Sequence, residues 1–575
     1  MYYNRDMEQI RPYQGTLING VLPQAEALLL QQQSNAVPSW TLTPRQLCDV
    51  ELLLNGGFSP LKGFLNEADY AGVLGQMRLA DGTLWPMPVV LDVSELFAEK
   101  LDLGQSIALY DAEGMLIALM TLSSLWRPQK SIEVEAVYGT TDINHPGVRY
   151  IMDQTGEVYL GGELTGVRLP ARYDFCEWRQ TPQQLREQFQ QRGWQRIIAF
   201  QTRNPMHRAH YALTVRAMRD YEANLLIHPS DGAAPDDIQH YARIRCYLRL
   251  LEHYPEQTTQ LALLPLAMRM AGPREALWHG IIRQNYGCTH MIVGRDHAGP
   301  TFGAAQQSFY QPYAAQELFA QYQKDIQLEM IPMQEMVYVA ERAEYIPANE
   351  VAPEEIVQKI SGTELRRRFA EDLPIPEWFS FPDVVAQLRG AYPPKHRQGF
   401  TVLLTGLPSA GKTTLAHALH WRFMEMGGRR VSVLDGDPMR KILSAELGFS
   451  IADREKHMLR IGYVAREITK HGGVAILAFI APLEKIRRQL RDMISTEGGF
   501  IEVYINTPQG ICEQRDRKGL YNKARKGLIE DFTGISSTYE VPHSADVLID
   551  TTAEDPIDAS QHIILKLQNL GYLRA

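Results

Sequence analysis

Short apolar runs dominate the first ~170 residues: MPVVLDV (87–93), QSIALYD (105–111) and GMLIALMTL (114–122), punctuated by DG, EG and GG pairs. Apolar or alternating segments bounded by such turns predict strands, so this part reads as mainly β. From about residue 171 the period changes. The helical run TPQQLREQFQQRGW leads into RIIAF (196–200), while NLLIHP (224–229) and HMIVG (290–294) each follow a further helical stretch. Helices alternating with short, wholly apolar strands predict an α/β layer built on a parallel sheet. A smaller closing unit is expected over 326–390, where Ser361 or Thr363 would cap a short helix ended by Pro374 and Pro376.

AYPPKHRQG (391–399) combines two prolines, basic residues and a glycine, and a fresh apolar strand starts at Phe400. That composition predicts a linker at 391–398. Beyond it FTVLLTG, RRVSVLDGD, GGVAILAFI and FIEVYINTP alternate with helical runs, the pattern of a second α/β domain over 399–575. The expected organisation is thus a β-rich 1–170, an α/β 171–325, a closing unit 326–390, a linker and an α/β 399–575. A chain of 575 residues is long enough for it, since roughly 100–200 residues per domain makes three to five units.

Composition narrows the function classes. With 45% hydrophobic and 22% charged residues, wholesale disorder is excluded. A formal charge of −9 disfavours nucleic-acid binding through an overall basic surface but permits a local anion pocket. Five scattered cysteines without a CxxC suggest neither a disulfide framework nor a zinc knuckle and fit a reducing compartment. No basic start followed by an apolar core marks a signal peptide, and the most apolar run, Gly472 to Leu483, is well short of the ~20 residues needed to span a bilayer. A cytoplasmic protein with no membrane partner is expected.

Gly406-Leu-Pro-Ser-Ala-Gly-Lys412-Thr413 satisfies GxxxxGK[ST] between an apolar strand and a helical run. Main-chain N–H groups of Gly406, Ser409, Ala410, Gly411, Lys412, Thr413 and Thr414 would cradle ATP phosphates, with Lys412 at the β/γ-phosphates and Thr413 on Mg²⁺. Asp435 and Asp437 end the next predicted strand, where carboxylates orient Mg²⁺ (Asp435) and receive a substrate hydroxyl proton.

In the preceding domain, Gln201-Thr-Arg203-Asn204-Pro-Met-His207-Arg-Ala-His210 follows RIIAF and opens a helix. Two histidines three apart would share a face near the helix N-terminus and donate to phosphate, with Pro205 in the first turn. A metal pair competes, but no third ligand stands at a recognisable spacing, so no zinc is expected. GRDHAGP (294–300) closes HMIVG and would bring Gly294, Arg295, His297 and Ala298 to the same sheet edge.

The runs LDGDPMR (434–440), LGFSIADR (447–454), RDRKGLYNKARKG (515–527) and DFTGISSTYE (531–540) resemble, in order, the adenylylsulfate (APS) kinase family over 399–575. The resemblance implies that Arg440, Phe449, Arg454, Lys518, Gly519, Leu520 and Phe532 surround APS, that Arg515 flanks the ATP adenine, and that 518–523 forms a mobile lid. QTRNPMHRAH and VGRDHAGP, supported by LCDVELLLNGGFSPLKGF (47–64), AVYGTTDINHPGV (136–148), FYQPYAAQ (309–316) and SGTELRRRF (361–369), look like the ATP sulfurylase family of HxxH nucleotidyltransferases over about 1–390. It implies a PUA-like N-terminal domain and a Rossmann-like catalytic domain. It also implies that Gln201 and Arg203 hold sulfate with the Ala298 main chain, while Gln201, Asn204, His207, His210, Gly294, Arg295 and His297 serve ATP. Its partners would be ATP, sulfate and APS, and a homo-oligomer is expected.

Two sets of positions depart from the family patterns. SDGAAPDDIQ (230–239) lacks a Thr-Lys pair and gains acid. On the APS side of the kinase, Pro438, Ser444, Glu446, His457, Leu459, Ala481, Leu483 and Glu484 replace the usual residues. A sulfurylase whose C-terminal domain is regulatory or weakly active, as the resemblance to fungal sulfurylases permits, therefore stands as the alternative to a two-step enzyme. Intact Lys412 and Thr413 argue against it.

Overall fold

The computed structural model describes residues 9–232, 240–300, 308–448, 450–529 and 531–574, apart from the side chains of Gln33 and Asp437. The chain divides into two compact units, Met1–Ile360 with Ile375–Leu388, and Ser361–Pro374 with Arg389–Ala575. The expected closing segment 326–390 is thus shared between them.

The first unit opens with a six-stranded sheet. Ser39–Thr41, Ser106–Tyr110, Leu116–Trp126, Val158–Gly166 and Gly63–Phe64 lie in that order, and Leu91–Val93 also pairs with Val158–Gly166. The strand expected over 87–93 shrinks to its last three residues. Among the described residues this part also holds substantial helices, Gln24–Gln33, Pro44–Asn55, Glu67–Gln76, Lys130–Tyr138 and Pro146–Asp153, which a mainly β reading passes over. The helix Pro44–Asn55 shows why. Its start is written in polar residues, because the Thr43 hydroxyl accepts from the Gln46 N–H at 3.3 Å while the Gln46 side chain accepts from the Thr43 N–H at 3.0 Å. Pro44 fills the first turn and Gly56, at φ +88°, ends it.

Five parallel strands follow, ordered Glu329–Pro332, His290–Val293, Ile197–Phe200, Asn224–Ile227 and Thr259–Leu261. From Ile197–Phe200 the chain first builds outward through Asn224–Ile227 and Thr259–Leu261. It then returns to add His290–Val293 on the other side. The loops leaving these two neighbouring central strands therefore diverge at the topological switch point, where open α/β sheets leave a ligand crevice. A three-stranded antiparallel sheet, Glu344–Pro347, Met336–Val339 and Val357–Gln358, completes the unit.

The second unit carries another five-stranded parallel sheet, Val431–Asp435, Val474–Ala478, Phe400–Thr405, Gly499–Ile505 and Val547–Ile549. Every residue of Phe400–Thr405 is buried, as a central strand covered on both faces requires. The helix Gly362–Ala370 belongs to this unit and is capped by Ser361, whose hydroxyl accepts from the Glu364 N–H at 3.1 Å. Ser361, not Thr363, is the cap. Among the described residues no helix is long and apolar enough to cross a membrane.

Candidate active sites

In the first unit the segment after Phe200 does not continue as helix at once. Thr202 donates to the Asn204 carbonyl at 3.0 Å and receives the Asn204 N–H at 3.1 Å, which turns the chain sharply. The helix begins at Arg208, so His207 is its N-cap and His210 lies in the first turn. Pro205 stands in the preceding turn rather than in the helix. The expected pairing of the histidines survives this shift, because the His207 N–H donates to His210 Nδ1 at 3.1 Å. His207 Nδ1 lies 2.9 Å from the Ser380 hydroxyl, and its ring packs on Phe379 with centroids 4.6 Å apart. Burial pushes His207 down to about 3, helped by its neighbour His210, and burial pushes His210 down to about 4. Both are neutral N–H donors at neutral pH, not fixed cations.

Gln201 faces Ser230, donating to its hydroxyl at 2.8 Å, and its carbonyl oxygen accepts from Arg283. Arg203 reaches the thioether of Met270 at 3.3 Å and the Gly299 carbonyl at 3.3 Å. The QTRNP and GRDHAG segments thus meet, as expected. Ala298 adopts φ +55°, a left-handed conformation costly for a residue with a Cβ, and its carbonyl accepts from Gly272 N–H at 3.1 Å. Arg295 is exposed, 3.5 Å from Glu335. His297 differs from expectation in aim: its Nε2 lies 3.1 Å from Nδ1 of the buried His279, which itself lies 3.5 Å from Glu275. The acid gained after residue 230 is partly accounted for. Asp231 is paired with Arg179 at 2.5 Å and His240 at 2.8 Å, while 233–239 lie outside the described residues.

In the second unit Gly406 at φ +150° and Gly411 at φ +106° bracket the phosphate loop, with Ser409 also left-handed at +62°. A Cβ on Gly406 would meet the Ile505 carbonyl at 2.7 Å, so only glycine fits there. The helix Lys412–Met426 follows directly. Lys412 Nζ donates to the carbonyls of Gly406 at 3.0 Å and Leu407 at 2.7 Å. The Thr413 hydroxyl donates to Asp435 at 2.7 Å, joining the two residues expected at Mg²⁺. Thr507 and Thr551 each donate to the Ala410 carbonyl at 3.0 Å, and Arg515 donates to the Thr551 hydroxyl at 2.8 Å.

Around the acceptor side Arg440 donates to the Gly448 carbonyl at 2.6 Å, and Arg454 to the Thr533 hydroxyl at 3.2 Å and the Asp531 carbonyl. Phe532 packs edge-on against Tyr521, centroids 5.0 Å apart. Phe449 lies outside the described residues, as does the side chain of Asp437. The segment expected as a lid carries the helix Leu520–Arg525 after Lys518 and Gly519, and it is anchored: Tyr521 is buried and donates to the Pro408 carbonyl at 3.1 Å. Four of the polar departures from the family pattern have partners within the protein. His457 Nδ1 lies 2.9 Å from the Ser444 hydroxyl, Glu446 is 2.7 Å from Arg460, and Glu484 is 2.5 Å from the wholly buried Arg487. Glu484 thus has a cationic partner inside the protein, one that it shares with Glu502 at 2.9 Å from the same guanidinium.

Burial pushes the Lys412 ammonium down to about 8, partly offset by Cys512 and Asp435. Below that pH the side chain already carries its charge before nucleotide binds. Above it the charge is lost, and phosphates restore it by drawing a proton back on. ATP binding should therefore take up a proton above pH 8, and affinity should weaken as pH rises further. Calorimetry at pH 8.5 in two buffers of different ionisation heat reads this directly, and equal heats in both would contradict it.

Ser380, Phe379, Arg283 and His279 are the contributors that sequence patterns do not reveal. Ser380 reaches His207 from 173 residues away, and neither it nor the buried Arg283 stands in a motif.

Comparison with known proteins agrees with this geometry. A family model described as ATP-sulfurylase matches residues 176–391, one for adenylylsulphate kinase matches 398–550, and one for a PUA-like domain matches 10–169. Sulfate adenylyltransferase from Mycosarcoma maydis is 48% identical over 549 residues, covering 94% of this chain and 96% of its own. The chain belongs to the sulfate adenylyltransferase family. Sulfate adenylyltransferase from Phaeosphaeria nodorum is 47% identical over 548 residues, covering 95% of this chain and 96% of that protein. A solved structure described as a hexameric APS kinase from Thiobacillus denitrificans overlays 99% of this chain and all of its own with a TM-score of 0.81 at 37% identity. The adenylyltransferase portion is preceded by a PUA-like domain and followed by an adenylylsulphate kinase domain with a P-loop fold.

Proposed function

We propose that the two sites work in series with the residue roles given below. The chain activates sulfate in two steps: ATP and sulfate give APS and pyrophosphate, then APS and a second ATP give 3′-phosphoadenylylsulfate (PAPS) and ADP. The observation that carries the second step is the complete phosphate loop with Thr413 bonded to Asp435. A domain that only sensed nucleotide would not need lysine, hydroxyl and carboxylate assembled in one place.

In the first step a sulfate oxygen attacks the α-phosphorus of ATP and the bond to pyrophosphate breaks. Sulfate is fully ionised at neutral pH, so no general base is required. Gln201, Arg203 and the Ala298 main chain would hold sulfate. Asn204, His207, His210, Gly294 and Arg295 would serve the ATP, the neutral His207 and His210 through N–H donation. Their work is to bring two anions together and stabilise charge on the phosphoryl and leaving groups. In the second step the 3′-hydroxyl of APS attacks the γ-phosphorus, ADP leaves, and the hydroxyl proton passes to Asp435 or Asp437, at the junction of the strand Val431–Asp435 and the helix Gly436–Leu443. Arg440, Phe449, Arg454, Lys518, Gly519, Leu520 and Phe532 would seat APS, and Arg515 the adenine.

Kinase and sulfurylase domains generally use ATP with Mg²⁺. The donors present fit that ion, since Thr413 and Asp435 offer hard oxygens already 2.7 Å apart. Held by Thr413 and Asp435, Mg²⁺ would supply positive charge to the phosphates of ATP. A general chelator should stop both steps, Mg²⁺ alone should restore them, and a zinc-selective chelator should do nothing. Recovery with zinc but not Mg²⁺ would overturn this assignment. We also place the protein in the cytoplasm, a reading supported by cysteines that are all unpaired, and we expect it to assemble into a homo-oligomer. Light scattering of the purified chain checks the latter. The kinase half is tested by supplying APS and MgATP: ADP and PAPS should appear in equal amounts, and no ADP above background would leave the domain regulatory.

A further inference from the structure

We infer that Arg283 is a positioning residue for the sulfurylase site, fixing the Gln201 carboxamide with its NH₂ outward and placing behind the sulfate a positive charge that has no carboxylate at ion-pair distance. The inference rests on the reading that Gln201 holds sulfate. Arg283 lies on the helix Pro273–Asn285 and is wholly buried at 0% exposure. A buried guanidinium ordinarily needs a carboxylate. Among the described residues none lies within ion-pair distance. Glu275, on the same helix, is committed elsewhere: it accepts from the N–H groups of Arg269 at 2.7 Å and Ala271 at 2.9 Å and faces His279.

Among the described residues the hydrogen bonds of Arg283 go only to neutral oxygens. Its Nη2 donates to the Gln201 side-chain carbonyl and, at 3.1 Å, to the His228 main-chain carbonyl, while its Nε and Nη1 have no hydrogen-bond partner. The flanking His228 and His279 add no charge, since burial holds both imidazoles neutral. Burial also draws Arg283 down to about 10, which still leaves it charged at neutral pH.

Two consequences follow for the ligand. Arginine has no acceptor, so only the oxygen of the Gln201 amide can face it. The NH₂ is forced to the other side, where its neighbours are the Ser230 hydroxyl at 2.8 Å and the Met268 thioether at 3.5 Å, the second a weak acceptor that an oxyanion readily outcompetes. The surplus charge, in turn, favours a dianion over a monoanion of the same shape. Sulfate and perchlorate are such a pair, both tetrahedral and differing in charge.

The experiment compares the sulfate KM and the perchlorate inhibition constant in Gln201→Ala, Arg283→Met and Arg283→Lys, with the ATP KM as control. Arg283→Met should raise the sulfate KM at least about tenfold and weaken perchlorate by no more than about threefold, leaving ATP nearly unchanged. Arg283→Lys keeps the charge without the planar fork, so it should retain discrimination within about threefold of the parent while still raising the sulfate KM. Added to Gln201→Ala, Arg283→Met should cost less than it does alone, because the amide it orients is gone. Equal weakening of sulfate, perchlorate and ATP would mean a merely structural role and overturn the inference. Should Arg283→Met fail to fold, loss of the sulfate preference in Arg283→Lys would overturn it equally. An unchanged sulfate KM in Gln201→Ala would instead remove the underlying reading of the sulfate site.

Discussion

Lys412→Ala should lower PAPS formation by about 10²–10³ or more while pyrophosphate release from sulfate and ATP continues at its normal rate. Among the described residues the ammonium bonds the Gly406 and Leu407 carbonyls, and those carbonyls belong to a turn held independently by Thr507, Thr551 and Tyr521. The loop geometry should therefore survive, and the loss should fall on phosphoryl transfer. Radiolabelled sulfate would accumulate as APS. A Lys412→Ala protein that still makes PAPS at near the parent rate would place the transfer elsewhere.

Arg203→Ala and His207→Ala should each cut pyrophosphate release by about 10²–10³, the usual loss for one donor to a developing charge, with kinase turnover on supplied APS unchanged. The two differ in what else they disturb. Arg203 reaches the Met270 thioether and the Gly299 carbonyl, neither of them a charged acceptor. His207 partners the buried Ser380 hydroxyl, and its loss costs about 1–3 kcal/mol of stability in addition. Thermal denaturation separates the two effects: a small shift for Arg203→Ala, a larger one for His207→Ala. Turnover near the parent level in both would move the site away from this loop.

The division between what the chain announces and what it conceals follows sequence distance. The strands Ile197–Phe200, His290–Val293 and Phe400–Thr405 were readable because a strand covered on both faces must be apolar throughout, and the loops after them because glycine, proline and histidine are placed by local backbone needs. The helix Pro44–Asn55 was hidden inside a region dominated by strand signals, although its Thr43–Gln46 cap is local. The start of the histidine helix was misplaced by a few residues, since the Thr202–Asn204 turn competes with helix for the same backbone groups. Ser380 and Arg283 were not legible at all. Their roles come from packing between segments 173 and 82 residues apart, and no local pattern records such a meeting. The kinase departures behave likewise: Glu484 reads as a misplaced acid until Arg487, three residues on, is seen buried against it.

The central claim is that one chain carries sulfate through both steps. Labelled sulfate incubated with the purified protein, ATP and Mg²⁺, with pyrophosphate, APS, ADP and PAPS followed separately, tests it most directly. The account predicts label passing through APS into PAPS, with one pyrophosphate and one ADP for each PAPS formed. Label that stops in APS, with pyrophosphate but no ADP, would contradict it.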